Sequence, residues 1–292
     1  MNIFRKRFLT AATIALAFVL TAAFEACSPK IAKQAALLNS PKFIPVSEIG
    51  TFTYDTVAQW ELPDDSLYMT HSLPNAVNFL PPPPPFDTTD AIFKGDYARW
   101  KWGKTVRPTE RGRQASYESL YGIVRMCTIF SEVFGFVIHP DTTPAIYRFM
   151  LYAGETGHKA TAIPKKTYMR RRPFDLMNEP LWGEFDDESL RGNGSYPSGH
   201  TTLGWTTALA LADMVPELED QILKRGYQYG ESRVIVGAHW QSDVNAGYVI
   251  GATAFATFQK DPRYQKHLKA ARKEYEALVS IWGQRYENFV TP

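Results

Sequence analysis

Apolar residues recur along this chain at steps of three and four, and no sustained stretch alternates at period two, which restricts the fold to helices packed on helices. Leu120, Ile123, Val124, Cys127 and Phe134 form one such stripe. Ile146, Phe149, Met150 and Ala153 form a second, opened by Pro144 and capped by Thr142 or Thr143. Leu203, Thr207, Ala210, Leu211 and Met214 form a third, and Tyr264, Leu268, Ala271, Tyr275, Leu278 and Trp282 a fourth. Each stripe is first of all a packing surface. With 45% hydrophobic residues the chain can fill one large core. The expectation is a single all-α helical bundle over residues 87–292, without internal repeats.

The N-terminal region reads differently. Residues 1–27 run from Arg5, Lys6 and Arg7 through the apolar stretch Phe8 to Phe24 and end in Ala26 and Cys27, the order of an export signal. Phe24, Glu25, Ala26 and Cys27 form a loose lipobox, with Phe where Leu is usual and an atypical Glu25. A lipidated Cys27 anchoring the chain to a membrane is the leading reading, and release into the periplasm the alternative. Residues 28–86 read as an extension or tether that ends in the stiff run Pro81 to Pro85. No later segment has 18 or more uninterrupted apolar residues, which argues against a multi-span enzyme. The formal charge is +2, and removing residues 1–26 takes away Arg5, Lys6, Arg7 and Glu25 and leaves cations and anions balanced. Nucleic-acid binding gains no support from that balance. Cys27 and Cys127 are the two cysteines; with Cys27 lipidated no disulfide is available, and Cys127 sits on a core stripe.

Three short strings carry the chemistry: Lys165 to Pro173 (KKTYMRRRP), Ser195 to Thr201 (SYPSGHT) and Ser232 to Asp243 (SRVIVGAHWQSD). The step from His239 to Asp243 puts a carboxylate and an imidazole on one helical face, so that Asp243 fixes the tautomer and leaves the other ring nitrogen as nucleophile or base. A satisfied structural pair reads equally well from that string alone. Ser198, Gly199 and His200 stand where a helix begins, and its free N–H groups with a glycine suit an anion. An ordinary Ser cap beside a loop histidine is the plainer reading of the same tetrapeptide. Lys165 and Arg172 lie in a run with Lys166, Arg170 and Arg171 that alone would be a solvated basic face. Arg172 and Arg233 can fork onto phosphate oxygens while Lys165 adds a point charge.

In order, the strings give K-x6-R-P, P-S-G-H and S-R-x5-H-x3-D. With this pattern the chain resembles the type-2 phosphatidic acid phosphatase superfamily, which includes vanadium haloperoxidases. Gly194 to Thr201 (GSYPSGHT) is similar to the signature of bacterial class A non-specific acid phosphatases, and Gly230 to Val244 and Leu80 to Pro85 point the same way. The resemblance spans about residues 80–251. It implies that His239 is a nucleophile forming a phosphohistidine, that Asp243 orients it, and that His200 protonates the leaving group and then activates water. It implies that Lys165, Arg172, Ser198, Gly199 and Arg233 bind the phosphate. The implied activity is hydrolysis of small phosphomonoesters with broad specificity, without cofactor or metal.

Other readings stay open. They are an anchored lipid or lipid-headgroup phosphatase, a vanadium-dependent haloperoxidase, and a non-catalytic anion-binding surface lipoprotein. The six histidines form no compact ligand set such as H-E-x-x-H, and cations beside His200 and His239 would repel a divalent metal. His71, His139, His158 and His267 read as structural or surface residues. A homo-oligomer is left open.

Overall fold

The computed structural model describes residues 73–183 and 187–290, and no β-strand occurs among them. The export signal, Cys27 and the extension as far as residue 72 lie outside the described residues. A 3-10 turn at Ala76–Asn78 leads into eleven helices: α1 Ala91–Val106, α2 Glu110–Tyr117, α3 Ile123–Phe134, α4 Pro144–Lys159, α5 Ala162–Tyr168, α6 Pro173–Leu176, α7 Asp187–Arg191, α8 Gly199–Met214, α9 Glu219–Ile235, α10 Gln241–Phe258 and α11 Pro262–Val290. A further 3-10 turn, Pro216–Leu218, separates α8 from α9.

Helix α8 is the axis of the bundle, with α4, α9 and α10 packed on it. The sequence stripe on this helix, Thr207 among it, marks one face, but the helix is buried nearly all round, including Thr202 and Thr206. Their hydroxyls donate to carbonyls four residues back: Thr202 to Ser198 at 3.0 Å, Thr206 to Thr202 at 2.6 Å and Thr207 to Leu203 at 2.8 Å. Polar side chains can therefore sit in the core without unpaired donors. Glycines let neighbouring helices come close. A Cβ on Gly204 would lie 2.4 Å from the Tyr229 ring, and one on Gly247 would lie 2.9 Å from the Ser198 carbonyl. The second contact sets α10 against the start of α8, which matters for the site.

The other stripes are buried with instructive exceptions. Ile123, Cys127, Leu268, Ala271 and Leu278 are core, whereas Leu120 lies in the turn before α3, 51% exposed, and Trp282 is 52% exposed. Burial pushes the Cys127 thiol far above its usual value, so it remains a protonated core group. Thr143 holds the cap position of α4, yet its hydroxyl is turned to His139, accepting the His139 N–H at 2.9 Å. The cap comes from α11: the Glu274 carboxylate accepts the N–H groups of Ala145 at 3.2 Å and Ile146 at 2.8 Å.

The segment before α1 is docked on the bundle. Ala76 is fully buried, the Tyr196 hydroxyl donates to the Pro81 carbonyl at 2.9 Å, and the Phe86 ring packs on Phe93 and Trp240. This places the polyproline run against the Ser195–Thr201 string.

Candidate active site

A cleft of about 230 Å³ is lined by Tyr121, His158, Lys165, Arg172, Leu190, Asn193, Gly199, His200, Arg233 and His239. Six of the eight residues expected for catalysis and phosphate binding therefore meet in one wall. Asp243 stands behind His239, and Ser198 behind Gly199.

The basic run divides because the chain is extended after α5. Met169 takes a left-handed conformation (φ 40°), ending α5 and starting a segment whose side chains alternate. Arg170 and Arg172 turn inward and are buried, while Arg171 turns outward to Asp175 at 2.7 Å. Lys165, in the last turn of α5, donates to the Gly194 carbonyl at 2.6 Å. Gly194 permits this approach, since a Cβ there would lie 2.6 Å from the Lys165 carbonyl oxygen.

Ser198 is the N-cap of α8. Its hydroxyl oxygen accepts from Thr201 N at 3.3 Å and from the Thr201 hydroxyl at 2.8 Å, and the side chain is fully buried. The cleft wall at this point is Gly199, where a Cβ would lie 2.8 Å from His158 Nε2.

His239 is not on a helix. Helix α10 starts at Gln241 with Trp240 as its cap, so the His239–Asp243 pair is not made across one helical face as the four-residue step suggested. Asp243 occupies the third helical position and reaches back to accept the Trp240 N–H at 2.8 Å, which aims its Oδ2 at His239 Nδ1, 3.5 Å away. Ser195 completes the contact, donating to Asp243 Oδ2 at 2.5 Å, with its oxygen 3.3 Å from His239 Nδ1. On the other side of the ring, Arg172 Nη1 lies 3.0 Å from Nε2. A guanidinium can only donate, so Nε2 carries the lone pair and Nδ1 the proton. Arg172 is itself fixed by the carbonyls of Asn193 and Ala238, both at 3.0 Å.

His200 is set the opposite way. Its Nε2 lies 3.2 Å from the Ser119 carbonyl, which can only accept, so this nitrogen bears a proton and Nδ1 is the one left for exchange. Arg233 Nη1 donates to the same carbonyl at 3.5 Å.

Electrostatics follow from this crowding. Burial first, then the charges of Arg172 and Lys165, hold His239 well below the usual imidazole range despite the hydrogen bond it donates to Asp243. Burial and the Arg233 charge do the same to His200. Burial and neighbouring Lys165 bring His158 down to about 4. Lys165 is lowered by burial and by Arg172, and burial brings Arg172 and Arg233 down to about 10. Burial alone would raise Asp243, but the His239 hydrogen bond and the Arg170 charge outweigh it and leave the carboxyl at about 2. The cleft is thus a concentrated positive field that an anion would relieve.

A pH dependence follows with a definite sign. His158, His200 and His239 are depressed, so they resist protonation until an anion offsets the cations; anion binding then takes up protons and strengthens as pH falls. Sulfate, doubly charged at both values, is expected to bind about tenfold or more tightly at pH 5 than at pH 7. Thermal unfolding over a sulfate series checks this. Asp96, Glu155 and Glu274, which titrate in the opposite sense, cancel in the sulfate-dependent increment. Equal affinity at both pH values would contradict the assignment.

Sequence reasoning missed the layer behind His239. Arg170 donates through Nη1 to Asp243 Oδ1 at 2.7 Å and the Ser242 hydroxyl at 2.7 Å, and through Nη2 to Asp96 Oδ2 at 2.9 Å. Asp96, on α1, also accepts Ser242 N at 2.7 Å and the Ser242 hydroxyl at 2.6 Å. Arg170 was visible only as one cation of a run, and Asp96 carries no local signal. His158, read as structural or surface, is part of the cleft wall. Its Tyr121 neighbour lies between it and His200, with ring centroids 5.0 Å from each. Among the described residues no group of three or more His, Cys, Asp or Glu side chains converges as a metal site, and no helix is long and apolar enough to cross a membrane.

Two histidines with opposite tautomers, one backed by a carboxylate, in a helical cleft lined by three cations define a site for handling an anion by acid–base and nucleophilic chemistry. Residues 145–266 match the PAP2 superfamily. The chain is 40% identical over 205 residues to a non-specific acid phosphatase of Providencia stuartii, covering 70% of this chain and 82% of that one. It is 38% and 41% identical over 235 residues to non-specific acid phosphatases of Salmonella typhimurium (strain LT2) and Salmonella typhi, covering 80% of this chain and 90% of each relative. The chain belongs to the PAP2 superfamily, among its non-specific acid phosphatases.

Proposed function

We propose that this protein hydrolyses phosphate monoesters through a phosphohistidine on His239, without a metal ion. The observation that carries the reading is the pair of fixed tautomers: a lone pair on His239 Nε2 facing Arg172, and a proton-exchanging Nδ1 on His200. In the first step Nε2 attacks phosphorus, the bond to the ester oxygen breaks, and protonated His200 gives its proton to the departing alkoxide. Lys165, Arg172, Arg233 and the Gly199 N–H hold the phosphoryl oxygens, and Asp243 balances the positive charge that grows on His239. In the second step His200 takes a proton from water, the resulting hydroxide attacks phosphorus, and the P–N bond breaks to release phosphate. The incoming phosphate supplies the negative charge that raises His200 enough to be protonated. The relatives' name supports a broad choice of leaving alcohol. Export by residues 1–27 and anchoring through a lipidated Cys27 belong to the same reading and are supported by the basic, apolar and small-residue order there.

The test is turnover of p-nitrophenyl phosphate at mildly acidic pH in excess EDTA. Full chelator-resistant activity is expected, whereas activity restored only by a divalent metal would overturn the mechanism. In the same assay His200→Ala should slow alkyl phosphates about 10- to 100-fold more than the aryl ester, since a poor leaving group needs the proton more. Equal losses would remove His200 from the acid role.

A further inference from the structure

A second cleft, of about 330 Å³, is lined by Arg113, Ser116, Tyr117, Ser119, Leu120 and Arg125. It shares a wall with the first. The turn 119–121 contributes Ser119 and Leu120 to this cleft and Tyr121 to the other, and the Ser119 carbonyl is the group that holds His200 and Arg233.

The cations here lack adequate partners. Arg125 sits in the first turn of α3, where the helix dipole disfavours a positive charge. Its guanidinium lies 3.8 Å from the Tyr117 ring centroid, its Nε is buried without a hydrogen-bond partner, and among the described residues no carboxylate pairs with it. Among the described residues Arg113 pairs only with Glu110, and both side chains are largely exposed, so that pair does little to neutralise it. Two guanidiniums and serine and tyrosine side chains around one cavity suit the oxygens of a phosphate.

We propose that this cleft receives a second phosphate carried on the alcohol that the enzyme releases, so that bisphosphates are a preferred substrate class; the inference rests on the phosphatase reading above. The first phosphate lies at His239, the alcohol crosses the turn at Leu120 and Tyr121, and the distal phosphate meets Arg125 and Arg113. Leu120 and Tyr121 are exposed apolar surface along that path. No new bond chemistry is involved, only added binding remote from the reacting phosphorus.

The test compares α,ω-alkanediol bisphosphates of increasing chain length with alkyl monophosphates of the same lengths. In the native protein kcat/KM for the bisphosphates should peak at one length, about tenfold above the matching monophosphate. Arg125→Gln should erase the peak and leave monophosphates unchanged, Arg113→Gln should lower it part of the way, and Arg125→Lys, which keeps the charge, should retain part of it. A native protein without a length preference, or an Arg125→Gln variant that slows both series alike, would overturn the subsite while leaving the phosphatase reading intact. Absence of turnover on monophosphates as well would sink the phosphatase reading, and the subsite with it.

Discussion

Replacing His239 with Ala is expected to lower kcat on p-nitrophenyl phosphate by about 10⁴-fold or more, the scale seen when a covalent nucleophile is deleted. The structure gives reasons to expect loss of chemistry and not of fold. Asp243 keeps Arg170, the Ser195 hydroxyl and the Trp240 N–H as partners after the imidazole is gone. Arg172 keeps the carbonyls of Asn193 and Ala238. The anion cradle should therefore survive, and sulfate should still stabilise the variant against heat. Rapid quench of native protein and a phosphorus-labelled ester into alkaline denaturant, in which a P–N bond persists, should trap label on the protein, and the variant should trap none. A variant that keeps a tenth or more of the native rate, or traps label as before, would show that another group attacks.

Arg170→Met should give the largest loss of stability of any single change near the site, about 3–5 kcal/mol. The guanidinium lies between two buried carboxylates, Asp96 on α1 and Asp243 on α10, and satisfies both. Removing it leaves two buried negative charges facing one another across Ser242. Burial already pushes Asp96 upward in pKa, so protonation of this residue is the easiest escape, and the variant should be less unstable at low pH than at neutral pH. Adding Asp96→Asn should recover part of the loss, and the coupling between the two changes measures the pair. Denaturant unfolding of the four proteins provides the values. Additive effects would mean that Arg170 and Asp96 do not act as a unit.

Much of this site was legible because the residues that line the cleft lie in short strings with fixed internal spacing. Lys165 and Arg172, Gly199 and His200, and Arg233 and His239 each come as local pairs, and local pairs survive being read without a fold. What spacing could not supply was the route by which a pair is joined. His239 and Asp243 are four apart, but their link depends on Asp243 capping a helix that begins after His239. Ser195, Arg170 and Asp96 stayed hidden for a stronger reason: Asp96 and Asp243 lie on different helices and meet only through tertiary packing. The stripes showed the same limit. They identified the helices, but α8 is buried nearly all round, with threonines that satisfy their own hydroxyls, which polarity alone does not reveal. Thr143 had the right type and place for a cap, and lost the task to a carboxylate far along the chain.

That carboxylate ties distant parts of the chain into one opening unit. Glu274 holds the first N–H groups of α4, and the short helix α5 that follows the far end of α4 carries Lys165 into the cleft. If α11 detaches, Ala145 and Ile146 lose their acceptor while the Phe149 and Tyr152 rings lose Tyr264. Amide exchange in α4 and α11 should then proceed by a common event, as one foldon, and loosening the last helix would be felt at the phosphate site.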